Sequence, residues 1–124
     1  MNAIVFDKTG GPEVLQVRDL PIATCNEGEA LVKHTAIGVD FIDVYHRNGL
    51  YPVASLPSGI GMEAAGVVAA IGQGVETVSP GDRVMYAAGP PGAYAESRVL
   101  PAHRLVRIPD GIEDLQNGTR GLRG

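Results

Sequence analysis

A single cysteine, Cys25, stands in the 124 residues. That excludes an internal disulfide and fits a reducing, cytoplasmic setting. No basic cluster stands out: ten Lys and Arg oppose fourteen Asp and Glu, for a net charge of −4. Nucleic acid is therefore an unfavoured partner. Long apolar runs are missing too. The longest uncharged stretches, such as Leu50 to Met62, are too short for a membrane span and are broken by Pro and Gly. The N-terminus has no basic stretch followed by an apolar one, so it shows no secretory signal. Repeats and low-complexity blocks are absent.

What the chain does have is apolar content and punctuation. Hydrophobic residues make up 44% and charged residues 19%, which excludes a wholly disordered polymer. Seventeen Gly and nine Pro argue against a helical bundle and for short strands joined by turns.

Ala3–Phe6 and Val14–Asp19 read as a hairpin around the turn cluster Lys8-Thr9-Gly10-Gly11-Pro12. Glu29–Val39 reads as the longest early strand, with Ala30, Val32 and His34 on one side. The period then changes. Phe41, Val44, Tyr45 and Asn48 fall at helical spacing, Asp40 can cap the start, and Asp43 adds a favourable charge to the first turn. Gly49 suits the position just past the end. A short helix over Phe41–Arg47 follows, then an ordered Pro- and Gly-rich loop over Leu50–Gly61.

Met62–Ile71 is Ala-rich, but Gly66, the Val67-Val68 pair and the Gly72-Gln73-Gly74 terminator favour a strand buried on both faces. Arg83–Ala87, Ala93–Leu100 and His103–Ile108 are further strand candidates, with Gly89-Pro90-Pro91-Gly92 as a turn. Strands at short intervals with one helix predict a mainly β fold, a small barrel or sandwich.

Gly59-Ile60-Gly61-Met62-Glu63-Ala64 matches the spacing of a dinucleotide-binding fingerprint. That device needs a helix after the glycines to meet the pyrophosphate, and here a strand pattern follows. A tight loop entering a closely packed strand is the favoured reading. His34, His46, His103 and Cys25 show no recognised metal-ligand spacing. Glu63 is the one acid in an apolar run and must be paired, hydrogen-bonded or shifted in pKa; Arg83 is a candidate partner. Tyr45, Arg47, Tyr51 and Tyr94 could stack a flat ring, although from composition alone ordinary packing is the favoured reading.

Three stretches together are specific. Gly61-Met62-Glu63-Ala64-Ala65-Gly66-Val67-Val68-Ala69-Ala70-Ile71-Gly72, followed by Pro80-Gly81-Asp82-Arg83-Val84, resembles the medium-chain dehydrogenase/reductase superfamily. Gly38-Val39-Asp40-Phe41-Ile42-Asp43-Val44-Tyr45-His46-Arg47-Asn48-Gly49-Leu50-Tyr51-Pro52 resembles its quinone oxidoreductase branch, related to zeta-crystallin. Gly10-Gly11-Pro12-Glu13-Val14-Leu15 is similar to that branch as well.

The resemblance implies a GroES-like, partly open β-barrel with one or two short helices over residues 1–112, the substrate-side domain. In the family a Rossmann domain follows and carries most of an NADPH site, and hydride passes from NADPH to a quinone. By position, Asp40, Asp43 and Tyr45 are implied as cofactor-binding residues, and Arg47 and Tyr51 as substrate-binding residues. Asp40 stands where the branch commonly has Asn. No protein acid or base is implied as catalytic. No zinc is implied either: Met62 occupies the place of a zinc-ligating His, Asp40 that of a Cys, and Ala87–Ala93 replaces the structural-zinc lobe.

Residues 113–124 leave the family pattern and read as a flexible tail, so the Rossmann domain is expected to be absent and the chain inactive alone. Self-association through an uncovered apolar face, notably Met62–Ile71, is a further expectation. The alternative reading is a non-catalytic GroES-like binding or assembly module.

Overall fold

A computed structural model of the chain describes residues 1–87 and 90–109. The tail over 113–124 and part of the Gly89–Gly92 turn lie outside them. Among the described residues, eight strands and one α-helix follow in order: β1 (Asn2–Phe6), β2 (Gln16–Asp19), β3 (Glu29–Ile37), α1 (Phe41–Asn48), β4 (Ser58–Gly59), β5 (Ala64–Ile71), β6 (Arg83–Tyr86), β7 (Ser97–Pro101) and β8 (Val106–Arg107). They form one sheet of order β2-β1-β4 and a second of order β7-β3-β5-β6-β8. Neither sheet closes on itself, which is the mainly β, partly open architecture expected.

The hairpin pairs as read, with Asn2 opposite Asp19 and Val5 opposite Gln16. Val14 is not in the strand. Pro12–Val14 makes a 3-10 turn, because Pro fixes the first residue of such a turn and Val14 closes it by donating to Gly11 O at 3.1 Å. Similarly His103 leaves the last strand candidate: Ala102–Arg104 turns, and only Val106–Arg107 pairs. The loop over 50–61 contributes β4, whose Gly59 and Ser58 pair with Val5 and Phe6. A two-residue strand carries no period for a sequence to show.

β5 is the central strand, between β3 and β6. Ala64, Ala65 and Val68 are buried with Ala30, Val32 and Val84 in the main core. The expectation of an uncovered apolar face at Met62–Ile71 is therefore corrected: the neighbouring strands consume that surface, and only Ala69 stands exposed. The register between β3 and β5 shifts twice, the second time between His34 and Ala36, so Thr35 bulges opposite the Gly66–Ala65 step. A second core gathers Phe6, Val14 and Ile60, with Tyr94 packed against it. The two sheets meet where Ile4 N–H donates to Tyr94 O at 2.8 Å and Ala3 bridges Ala95.

The Gly59–Ala64 stretch runs from β4 into β5, with no helix after the glycines. Gly61 turns at φ +98°, and a Cβ there would collide with the Tyr94 ring. This is the tight loop entering a packed strand, and it offers no helix N-terminus to a pyrophosphate.

Candidate functional site

α1 is built by its ends. Asp40 is extended (φ −124°, ψ 157°), and Asp43 at the third helical position accepts the Asp40 N–H at 3.0 Å, completing a capping box. Gly49 takes the left-handed conformation at φ +87°, and its N–H closes on Tyr45 O at 3.1 Å.

Its faces are the reverse of an ordinary surface helix. The polar Asp43 and His46 are buried, Asp43 to 3% exposure. Phe41, by contrast, is 85% exposed and Val44 is partly so. The spacing Phe41, Val44, Asn48 is helical as read, but that stripe faces outward. Val39 at 80% exposure, Leu50 and Tyr51 are exposed as well.

The buried carboxylate explains the inversion. Tyr94 Oη donates to Asp43 Oδ2 at 2.7 Å, so one carboxylate oxygen holds the Asp40 N–H and a tyrosine hydroxyl from the segment before β7. Asp43 Oδ1 is buried and has no hydrogen-bond partner among the described residues. Glu63 completes the cluster. Its side chain lies against Gly38, where any Cβ would overlap it, and Gly38 N–H donates to the Glu63 carbonyl at 3.0 Å. Burial, then the charges of Asp40 and Asp43, push the Glu63 carboxyl above its ordinary value. The expected pairing with Arg83 does not describe this environment: Arg83 sits on β6 opposite Val67, and Glu63 faces like charges at the start of α1. Burial and the bond to Asp43 likewise push the Tyr94 phenol well up, so it remains a donor.

The sign of the Glu63 contribution follows. Its folded pKa exceeds its unfolded value, so it favours folding below the unfolded pKa, and that contribution is lost as pH rises through the folded one. Glu63→Gln is expected to melt a few degrees higher than the parent chain near pH 7, with the gap closing below pH ~4. A thermal-melt series across pH measures it. A variant less stable than the parent at pH 7 would contradict the cluster's repulsive character.

Tyr45 and Tyr51 meet edge to face, with ring centres 5.3 Å apart. Arg47 Nε donates to Gly10 O at 3.2 Å while Gly10 N–H returns a bond to Arg47 O at 2.9 Å, tying α1 to the β1–β2 connection. The structure thus brings Asp40 and Asp43 together and pairs Tyr45 with Tyr51. It commits Tyr94 to the carboxylate rather than to an aromatic stack. Sequence reasoning left Tyr94 and Glu63 outside the site set. The spacing of Asp43 and Tyr94, 51 residues apart, carries no local signal.

A second feature was not anticipated at all. An open groove of about 580 Å³ runs between β1, β2 and the latter half of β3, lined among others by Ile4, Val17, His34, Ile37 and Val39. On its wall the His34 tautomer is fixed by its partners. Ala95 O can only accept, so Nδ1–H donates to it at 2.8 Å, and Nε2 accepts from Tyr86 Oη at 2.9 Å. Burial first lowers the His34 pKa and favours that neutral form. Among the described residues, no group of three or more His, Cys, Asp or Glu is arranged to hold a metal ion. None of their helices is long and apolar enough to cross a membrane.

Residues 26–110 match the alcohol dehydrogenase GroES-like domain. The chain is 50% identical over 121 residues to a quinone oxidoreductase of Pseudomonas aeruginosa, covering 98% of this chain and 37% of that protein. It is 46% identical to quinone oxidoreductase 1 of Escherichia coli over 98% of its length and 37% of the relative's. Among solved structures, Escherichia coli quinone oxidoreductase complexed with NADPH superposes with a TM-score of 0.90 at 46% identity, over 94% of this chain and 36% of that one. The chain spans about 37% of the length of these relatives. It belongs to the alcohol dehydrogenase GroES-like domain family of the medium-chain dehydrogenase/reductase superfamily.

Proposed function

We propose that this chain is the substrate-side part of an NADPH-dependent quinone oxidoreductase, and that it is inactive without a nucleotide-binding partner domain. The observation that carries the reading is identity of 46–50% over nearly the whole chain to proteins named quinone oxidoreductase. A solved relative of that kind was captured with NADPH.

The chemistry of the donor set supports it. The start of α1 presents Asp40 backed by Asp43 and Glu63. Such a cluster repels phosphates but accepts hydrogen bonds, which suits the ribose hydroxyls and carboxamide of the nicotinamide end. The phosphates then need the other domain. The chemistry supplied there by bound NADPH is hydride donation.

In this reading Asp40 and Tyr45 face the cofactor, and buried Asp43 serves it by holding Asp40. Arg47 and the exposed Tyr51 serve the quinone. Tyr51 offers a ring edge held by Tyr45, and Arg47 keeps α1 against the Gly10 turn. No side chain need exchange a proton with the hydride. The protein's work is orientation and exclusion of water. The apolar surface at Val39, Phe41 and Leu50 is the face we assign to self-association and domain packing, and the single cysteine accords with a cytoplasmic setting.

Titrating NADPH against the 124-residue chain, alone and joined to the remaining portion of the Escherichia coli relative, tests the proposal. Micromolar binding is expected only in the joined protein. Tight binding by the isolated chain, or none by either, refutes it. A non-catalytic binding module would bind in neither.

A further inference from the structure

We propose that Tyr94 is a positioning residue for the nucleotide-facing end of α1, an inference that rests on the cofactor reading above. Tyr94 touches no ligand atom in this scheme and acts through Asp43.

The case is geometric. Asp43 Oδ2 accepts two hydrogen bonds, from Tyr94 Oη at 2.7 Å and from the Asp40 N–H at 3.0 Å. Asp40 is thus placed by an anion whose own location is set by Tyr94. The backbone of Tyr94 is held as well. Its backbone N–H donates to Ile60 O at 2.9 Å, and its carbonyl accepts from the Ile4 N–H at 2.8 Å. Its ring lies against Gly61, at a position where φ is +98° and no side chain fits. The phenol is therefore held by both β1 and the β4–β5 turn, and it transmits that rigidity to the helix start.

The buried side chains of α1 are Asp43 and His46, with Ile42 and Tyr45 only half-buried and Phe41 exposed. A helix of eight residues has little intrinsic stability. Its first turn depends on this polar anchor. Among the described residues Oδ1 of Asp43 has no hydrogen-bond partner, so without the phenol the carboxylate keeps the Asp40 N–H that it is meant to place.

Tyr94→Phe removes only the hydroxyl and keeps the ring that packs on the Phe6 cluster. Two measurements follow. In the 124-residue chain, amide hydrogen exchange at Asp40 is expected to quicken by about tenfold, the scale of one charge-assisted hydrogen bond, while the Val68 amide in β5 is unchanged. In the protein joined to the remaining portion of the Escherichia coli relative, KM for NADPH is expected to rise by about tenfold, with kcat and the quinone KM moving less than about twofold. A merely structural role would lower apparent kcat through loss of folded protein and leave KM alone.

Unaltered Asp40 exchange, or equal loss of protection at Asp40 and Val68, overturns the proposal. So does an unchanged KM for NADPH. If the unmodified joined protein does not use NADPH, the cofactor reading fails with the nucleotide part of this inference, and the exchange result alone then decides whether Tyr94 positions the helix start.

Discussion

Gly66→Ala is expected to destabilise the chain by about 3 kcal/mol, the upper end of the usual cost of overpacking. Gly66 lies in β5 opposite His34, beside the bulge that Thr35 makes in β3. A Cβ at residue 66 would fall inside the van der Waals envelope of the Lys33 carbonyl oxygen and 2.8 Å from Val32 Cγ1. The first obstacle is backbone, so no rotamer change relieves it. The strands must separate just where both are paired on their other edges, β3 with β7 and β5 with β6. Relaxing the bulge would shift the register that puts Val32 and Val68 in the core. Urea unfolding of the variant measures the loss. A midpoint equal to the parent's would show that the bulge is absent or that the two strands lie further apart than described.

Phe6→Ala is expected to cost about 3–5 kcal/mol, the range for truncating a fully buried phenylalanine. Phe6 has no exposed surface and centres the smaller core with Val14 and Ile60. Against a total stability of about 5–15 kcal/mol for a domain, that is a large share. The effect should also reach the site. Tyr94 packs against this cluster, so a cavity beneath it loosens the donor that holds Asp43. Phe6→Leu, which keeps most of the volume, should lose far less. Denaturant midpoints for the two variants give the comparison. Equal, small losses would mean that Phe6 is not the centre of a packed core.

Much of the fold is legible in the sequence, and the reason is punctuation. Gly10-Gly11-Pro12, Gly72-Gln73-Gly74 and Pro80-Gly81-Asp82 delimit β1, β5 and β6 through residues suited to turning. The helix start is also legible, because a capping box is a local pattern and Asp40 and Asp43 stand three apart. Its orientation is not. Phe41, Val44 and Asn48 share one helical face, Asp43 and His46 another, and burial of an apolar stripe is the ordinary rule. Here Asp43 is buried with a bond from Tyr94, and no local pattern encodes a partner 51 residues away. Glu63 was recognisable as an acid needing an explanation. Its neighbours were not, because β5 brings it to the start of α1 rather than to Arg83. The named site residues came from resemblance. The structure adds local contacts: a capping bond at Asp40, a ring beside Tyr51, a turn behind Arg47.

Quinone-dependent oxidation of NADPH, followed by absorbance, tests the central claim most directly. The account predicts turnover when the 124 residues are continued into a nucleotide-binding domain, and none from the chain by itself. Steady turnover by the isolated chain, or its failure in the continued protein with NADPH bound, would contradict the assignment of this fold as one wall of a hydride-transfer cleft.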